Sequence, residues 1–94
     1  MELELVNNAD DSEFTALDES GRKVGMVYYI NRPAYLDLYH TEVDPQVQGK
    51  HVAQNMLHLV FSYIRTHNRK AFVRCSYIQK FLSRHNEYDD LLYN

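Results

Sequence analysis

Cys75 is the only cysteine in the chain, which excludes an internal disulfide and any metal site built from cysteine alone. Glycine and proline are scarce as well, three and two among 94 residues. No segment is repeated or of low complexity, so no linker is evident and one domain over 1–94 is expected. No apolar run approaches the roughly 20 residues that cross a bilayer. Met1-Glu2-Leu3-Glu4 also lacks the basic start and apolar stretch of a signal peptide. The expected setting is reducing and cytoplasmic, away from membranes. Basic residues are not in surplus: ten Lys+Arg stand against 13 Asp+Glu, a formal charge of −3. Proteins that hold phosphate backbones carry a basic excess, so nucleic-acid binding is disfavoured. What the chain does have is apolar and aromatic, with 45% hydrophobic residues, eight Tyr and four Phe. That suffices for one core and excludes a wholly disordered chain.

The first half alternates with a period of two, the mark of strands. Strands are predicted at Glu2 to Asn7, Glu13 to Leu17, Lys23 to Ile30 and Tyr35 to Val43. Asp18-Glu19-Ser20-Gly21 supplies hairpin chemistry between the second and third. Simple alternation along the fourth puts Leu36, Leu38, His40 and Glu42 on one face and Tyr35, Tyr39, Thr41 and Val43 on the other. The period then changes. Val52, Met56, Leu59, Val60, Tyr63 and Ile64 recur at helical spacing, and Asn68 suits a left-handed cap. Ala71 to Cys75 reads as a short strand. Tyr77, Ile78, Phe81 and Leu82 share a face of a second helix, and Tyr88, Leu91 and Leu92 suggest a last turn packed back on the domain. The predicted order is β-β-β-β-α-β-α, an α/β (α+β) sandwich with helices covering a mostly antiparallel sheet.

Val43-Asp44-Pro45-Gln46-Val47-Gln48-Gly49-Lys50-His51-Val52-Ala53 leads from a strand through a glycine-bearing loop into an amphipathic helix. Unpaired amides at a helix N-terminus attract anions, phosphates above all. Gly49 and Ala53 permit close approach to the backbone, and Lys50 adds a mobile cation. The same residues also fit an ordinary strand-to-helix connection in which Gly49 merely serves the turn.

Val43, Pro45, Gln48, Gly49 and Ala53 match the acetyl-CoA loop of the Gcn5-related N-acetyltransferases, Val-x-Pro-x-x-(Arg/Gln)-Gly-x-Gly-x-(Gly/Ala). His40-Thr41-Glu42-Val43, Cys75-Ser76-Tyr77 and Arg84-His85-Asn86-Glu87-Tyr88 extend the likeness. The chain thus resembles the minimal, single-domain members of that superfamily along its whole length. The resemblance implies a compact acetyltransferase fold that binds acetyl-CoA or coenzyme A. Backbone around Thr41 and Val43 would hold the pantetheine arm. Gln48, Gly49, Lys50, His51, Val52 and Ala53 would wrap the pyrophosphate, with the thioester pointing toward Cys75. Two positions depart from the pattern: His51 replaces the loop's central glycine, and Asn86 replaces a proline.

Cys75 ends a strand and precedes a helix, a setting that favours thiolate, the nucleophilic form. Two roles are open to it: taking the acetyl group or polarising the thioester, and packing as a small buried residue. Direct attack by an amine needs a base. His40 and Glu42, on one strand face, are the candidates, since histidine titrates near neutrality; both also fit as partners of polar neighbours. No His-x-x-x-His pair occurs on a helix, so no metal is expected. Asp10, Asp11, Glu13, Asp18 and Glu19 read as solvated turns, with a weak pull on a cationic amine as the alternative. Tyr77 borders the expected acetyl pocket or packs in the core. Lys80 and Arg84 on the second helix reach nucleotide phosphates or form a wet face. The expected activity is acetyl-CoA-dependent N-acetylation of an unidentified primary amine, on a small molecule or a protein, by a monomer or homodimer. The alternative is a non-catalytic CoA-binding or protein-interaction module.

Overall fold

The computed structural model describes residues 2–49 and 51–94. Five strands, β1 (Glu4–Asn8), β2 (Glu13–Leu17), β3 (Lys23–Asn31), β4 (Leu36–Val43) and β5 (Ala71–Val73), combine with two helices, α1 (Val52–Thr66) and α2 (Ser76–Leu82). They form one sheet in the order β1-β2-β3-β4-β5. Short turns join the first four strands into an antiparallel meander, and the crossover through α1 returns the chain so that β5 lies parallel to β4. Asp18 organises the β2–β3 turn by accepting the amides of Ser20 and Arg22, and Gly21 takes φ +85° there. A final 3-10 turn, Asn86–Leu91, folds back on α1.

Both helices lie on one face of the sheet. Met56, Leu57, Val60, Phe61 and Ile64 recur at helical spacing and are fully buried against Phe14, Val27 and Leu38 from the strands. Phe61 stacks with Phe81 of α2 and with Tyr88 of the last turn. Gly25 lets α1 approach the sheet: a Cβ there would meet Met56 Sδ at 2.9 Å and the Glu42 carbonyl at 3.2 Å. Asn68 adopts φ +55°, and the amides of Asn68 and Arg69 bond the carbonyls of Arg65 and Ile64. That is the left-handed closure expected of the asparagine.

Three local expectations are corrected. The first is the facing of β4. Tyr28 pairs with His40, and the next residue, Tyr29, pairs with Leu38, so Tyr39 is an inserted residue. A bulge of this kind reverses the alternation beyond it. Leu36 and Leu38 point into the core, but past the bulge it is Thr41 and Val43 that turn toward α1, opposite Val27 and Gly25. His40 and Glu42 therefore project from the other face and do not share a side with Leu36 and Leu38. The second is Glu13, which is buried rather than solvated. Burial alone would raise its pKa, but bonds from Lys23 at 2.7 Å and Thr15 at 2.6 Å outweigh it and hold the carboxyl below its ordinary value. The third is Tyr77, which is 53% exposed while Ile78, Phe81 and Leu82 of the same helix are buried.

Candidate active site

β4 runs on to Val43, whereas β5 stops at Val73. Their last pair is Leu38 with Val73, closed by the Arg74 amide donating to the Leu38 carbonyl at 2.9 Å. Among the described residues, no strand pairs with Tyr39 to Val43 on that side of β4. An exposed strand edge carries unpaired amides and carbonyls that accept a further extended chain. Cys75 stands across the opening, as the N-cap of α2, with Sγ 3.7 Å from the Thr41 hydroxyl. The pair Asp37–Arg74, bonded at 2.9 Å, braces the strands at the fork.

The loop after β4 is anchored before it reaches α1. Asp44 accepts the Gln46 amide at 2.9 Å and pairs with Arg22, which also bonds the Gln46 side chain at 2.9 Å. Pro45–Val47 forms one 3-10 turn that seats Val47 in the core. Gly49 (φ +87°) and His51 (φ +58°) then turn the chain through left-handed conformations. The first helical bond of α1 runs from Asn55 N–H to the His51 carbonyl at 3.0 Å. The amides of Val52, Ala53 and Gln54 therefore have no acceptor within the helix. No side chain caps them among the described residues, and the first turn holds no acidic residue. Such a terminus carries net positive potential directed at its mouth.

The open strand edge and the uncapped helix end face the same cavity, of about 570 Å³. Thr41, Val43, Gln48, Gly49, His51, Val52 and Ala53 line it, so the residues assigned to the pantetheine and pyrophosphate share one wall system. Lys50 lies outside the described residues. A volume in this range suits a small-molecule ligand. The dipolar amides at one end and the open strand edge along its side fit a diphosphate and a bis-amide arm, respectively. Gln54 and Tyr77 also line the cavity. Gln54 gives no sequence signal, being one of several polar residues on the solvent side of α1. A smaller cavity of about 170 Å³ shares Gln54 and Tyr77 with the first and adds Lys80, Arg84 and His85. Arg84 sits beyond the end of α2 rather than within it. His40 and Glu42 are brought together, Nε2 to Oε2 at 2.9 Å, with His40 stacked on Tyr28. Both are exposed on the helix-free face, across the sheet from Thr41 and Val43.

His51 occupies a backbone region that costs a side-chain-bearing residue about 1–2 kcal/mol. His51→Gly is expected to relieve that strain and to leave the cavity mouth wider. If the loop holds coenzyme A as the resemblance implies, isothermal titration calorimetry should read binding to the variant at least as tight as to the wild type. Clearly weaker binding would mean that the imidazole itself contacts the ligand.

The family profile described as GCN5-related N-acetyl-transferase matches residues 13–91. Protein NATD1 of Danio rerio is 30% identical over 66 residues, covering 70% of this chain and 60% of that protein. In fold, the chain is similar to a GCN5-like protein of Staphylococcus aureus solved by NMR, with a TM-score of 0.71 at 22% identity. That match covers 98% of this chain and 89% of the other. A GNAT-family acetyltransferase from S. aureus Mu50 matches with a TM-score of 0.59 at 16% identity, over 84% of this chain and 55% of that one. With the match spanning most of its length, and with a fork between β4 and β5 beside an uncapped helix, this chain belongs to the GCN5-related N-acetyltransferase family.

Proposed function

We propose that the protein transfers the acetyl group of acetyl-CoA to a primary amine. One observation carries this reading: the unpaired stretch of β4 and the uncapped start of α1 open onto the same cavity. In this reading Thr41 and Val43 bond the pantetheine amides, and backbone amides from Gln48 to Ala53 hold the diphosphate. The thioester then lies at the fork beside Cys75. The amine arrives from the helix-free face, where His40, backed by Glu42, removes its proton. Nitrogen attacks the thioester carbonyl, the C–N bond forms and the C–S bond breaks. The coenzyme leaves as thiolate and takes a proton from solvent or from Tyr77, the tyrosine among the residues that line the cavity. Cys75 serves by taking the acetyl group as a thioester and passing it to the amine, or by bordering the carbonyl during direct attack.

Release of free coenzyme A from acetyl-CoA, followed with a panel of primary amines, tests the activity. Intact-protein mass spectrometry without an amine tests the thioester. Amine-dependent release is expected, with His40→Ala lowering kcat by about 10²–10⁴-fold. An acetyl adduct lost in Cys75→Ala assigns the covalent route; its absence, with Cys75→Ala still active, assigns direct attack. Tight coenzyme binding with no release above the amine-free rate across the panel would overturn the enzymatic reading in favour of a binding module.

A further inference from the structure

His58 lies on α1 next to the fully buried Leu57, and His85 follows α2. Their rings meet edge to face with centroids 4.6 Å apart. Glu87 reaches toward the same point, its Oε2 3.8 Å from Nδ1 of His85. One ligand atom from each of the three residues lies within 4.8 Å of the others. Nδ1 of His58 is engaged at 2.7 Å by the Tyr88 hydroxyl. With Nδ1–H donating to that hydroxyl, the arrangement of a metal-binding histidine, Nε2 keeps its lone pair for an ion. Both histidines are half-buried, whereas Glu87 is exposed and free to swing.

We infer that His58, His85 and Glu87 form a binding site for one divalent transition-metal ion, distinct from the acetyl-CoA cavity. Two imidazoles and a carboxylate suit zinc and its neighbours in the first transition row, and they leave coordination positions for water or an anion. Ligand atoms around a tetrahedral zinc lie about 3.4 Å apart for bonds of about 2.1 Å. Separations of up to 4.8 Å exceed that by up to about 1.4 Å, so the three side chains must close by that much around the ion. His85 also lines the smaller cavity, which gives the ion a path from solvent. The absence of a His-x-x-x-His pair argued against metal only within one helix. This set is assembled between α1 and the segment that packs across it. An ion bound there ties that segment to α1.

Zinc chloride titrated into the coenzyme-free protein tests the site by calorimetry and by thermal melting. Cobalt(II) absorbance reports the coordination geometry. The expected result is saturable binding of one ion per chain, with a melting temperature raised on the order of 10 °C at about 100-fold excess over Kd. His85→Ala should abolish the binding. Glu87→Gln should weaken it at least about tenfold without loss of fold. His67→Ala, which alters a histidine elsewhere on the surface, should leave it unchanged. The inference is overturned if zinc up to about 1 mM gives no saturable shift, or if either His85→Ala or Glu87→Gln binds it as the wild type does. None of these readouts requires acetyl transfer, so they stand apart from the test of the activity.

Discussion

Ala53→Glu is expected to weaken coenzyme A binding by at least about 100-fold while leaving the free protein as stable as before. Ala53 sits in the first turn of α1 and lines the cavity where the unpaired amides converge. A carboxylate there competes with a diphosphate for those amides and repels it. At about 4 Å, two unit charges near a protein surface interact by roughly 4 kcal/mol at an effective dielectric constant of 20. The same carboxylate interacts favourably with the helix dipole, by about 0.3–1 kcal/mol. Ligand affinity and intrinsic stability should therefore move independently, which a simple packing defect would not produce. Calorimetric titration and thermal melting of the free variant read the two effects separately. Unchanged affinity would remove the diphosphate from the helix end.

Phe61→Ala is expected to lower folding stability by about 3–5 kcal/mol. The side chain is fully buried and contacts both Phe81 and Tyr88, so it joins α1 to α2 and to the terminal turn. Both α2 and the terminal turn would lose their shared partner on α1, and a cavity would remain that the surrounding rings cannot fill. In a domain of this size each kcal/mol shifts the midpoint by about 4–8 °C, so a drop of about 12 °C or more is expected by calorimetry. A change below about 1 kcal/mol in a denaturant titration would mean that the aromatic cluster is not a structural centre.

The order of elements was legible because the hydrophobic period changes sharply between Val43 and Val52. Asn68 was legible as a stop because few residues other than glycine enter the left-handed region readily. Motif spacing singled out the loop, and Val43, Gln48, Gly49 and Ala53 of that motif line one cavity, whereas Pro45 does not. The facing of β4 was not legible, because Tyr39 is as strand-prone as its neighbours and no residue type marks the insertion. Nor was the exposure of Tyr77, since its place on the helical face matches that of buried Ile78 and Phe81 within one turn. His58 and His85 belong to different elements, so their meeting depends on how α2 docks, which periodicity does not encode.

The inserted Tyr39 turns Thr41 and Val43 toward α1 and leaves His40 and Glu42 on the opposite side of a single sheet. Under the proposed reaction, donor and acceptor enter through different doors and meet only where the strands diverge. Neither reactant then has to depart before the other arrives, and a bulky amine, even one on another macromolecule, meets no helix on its way in.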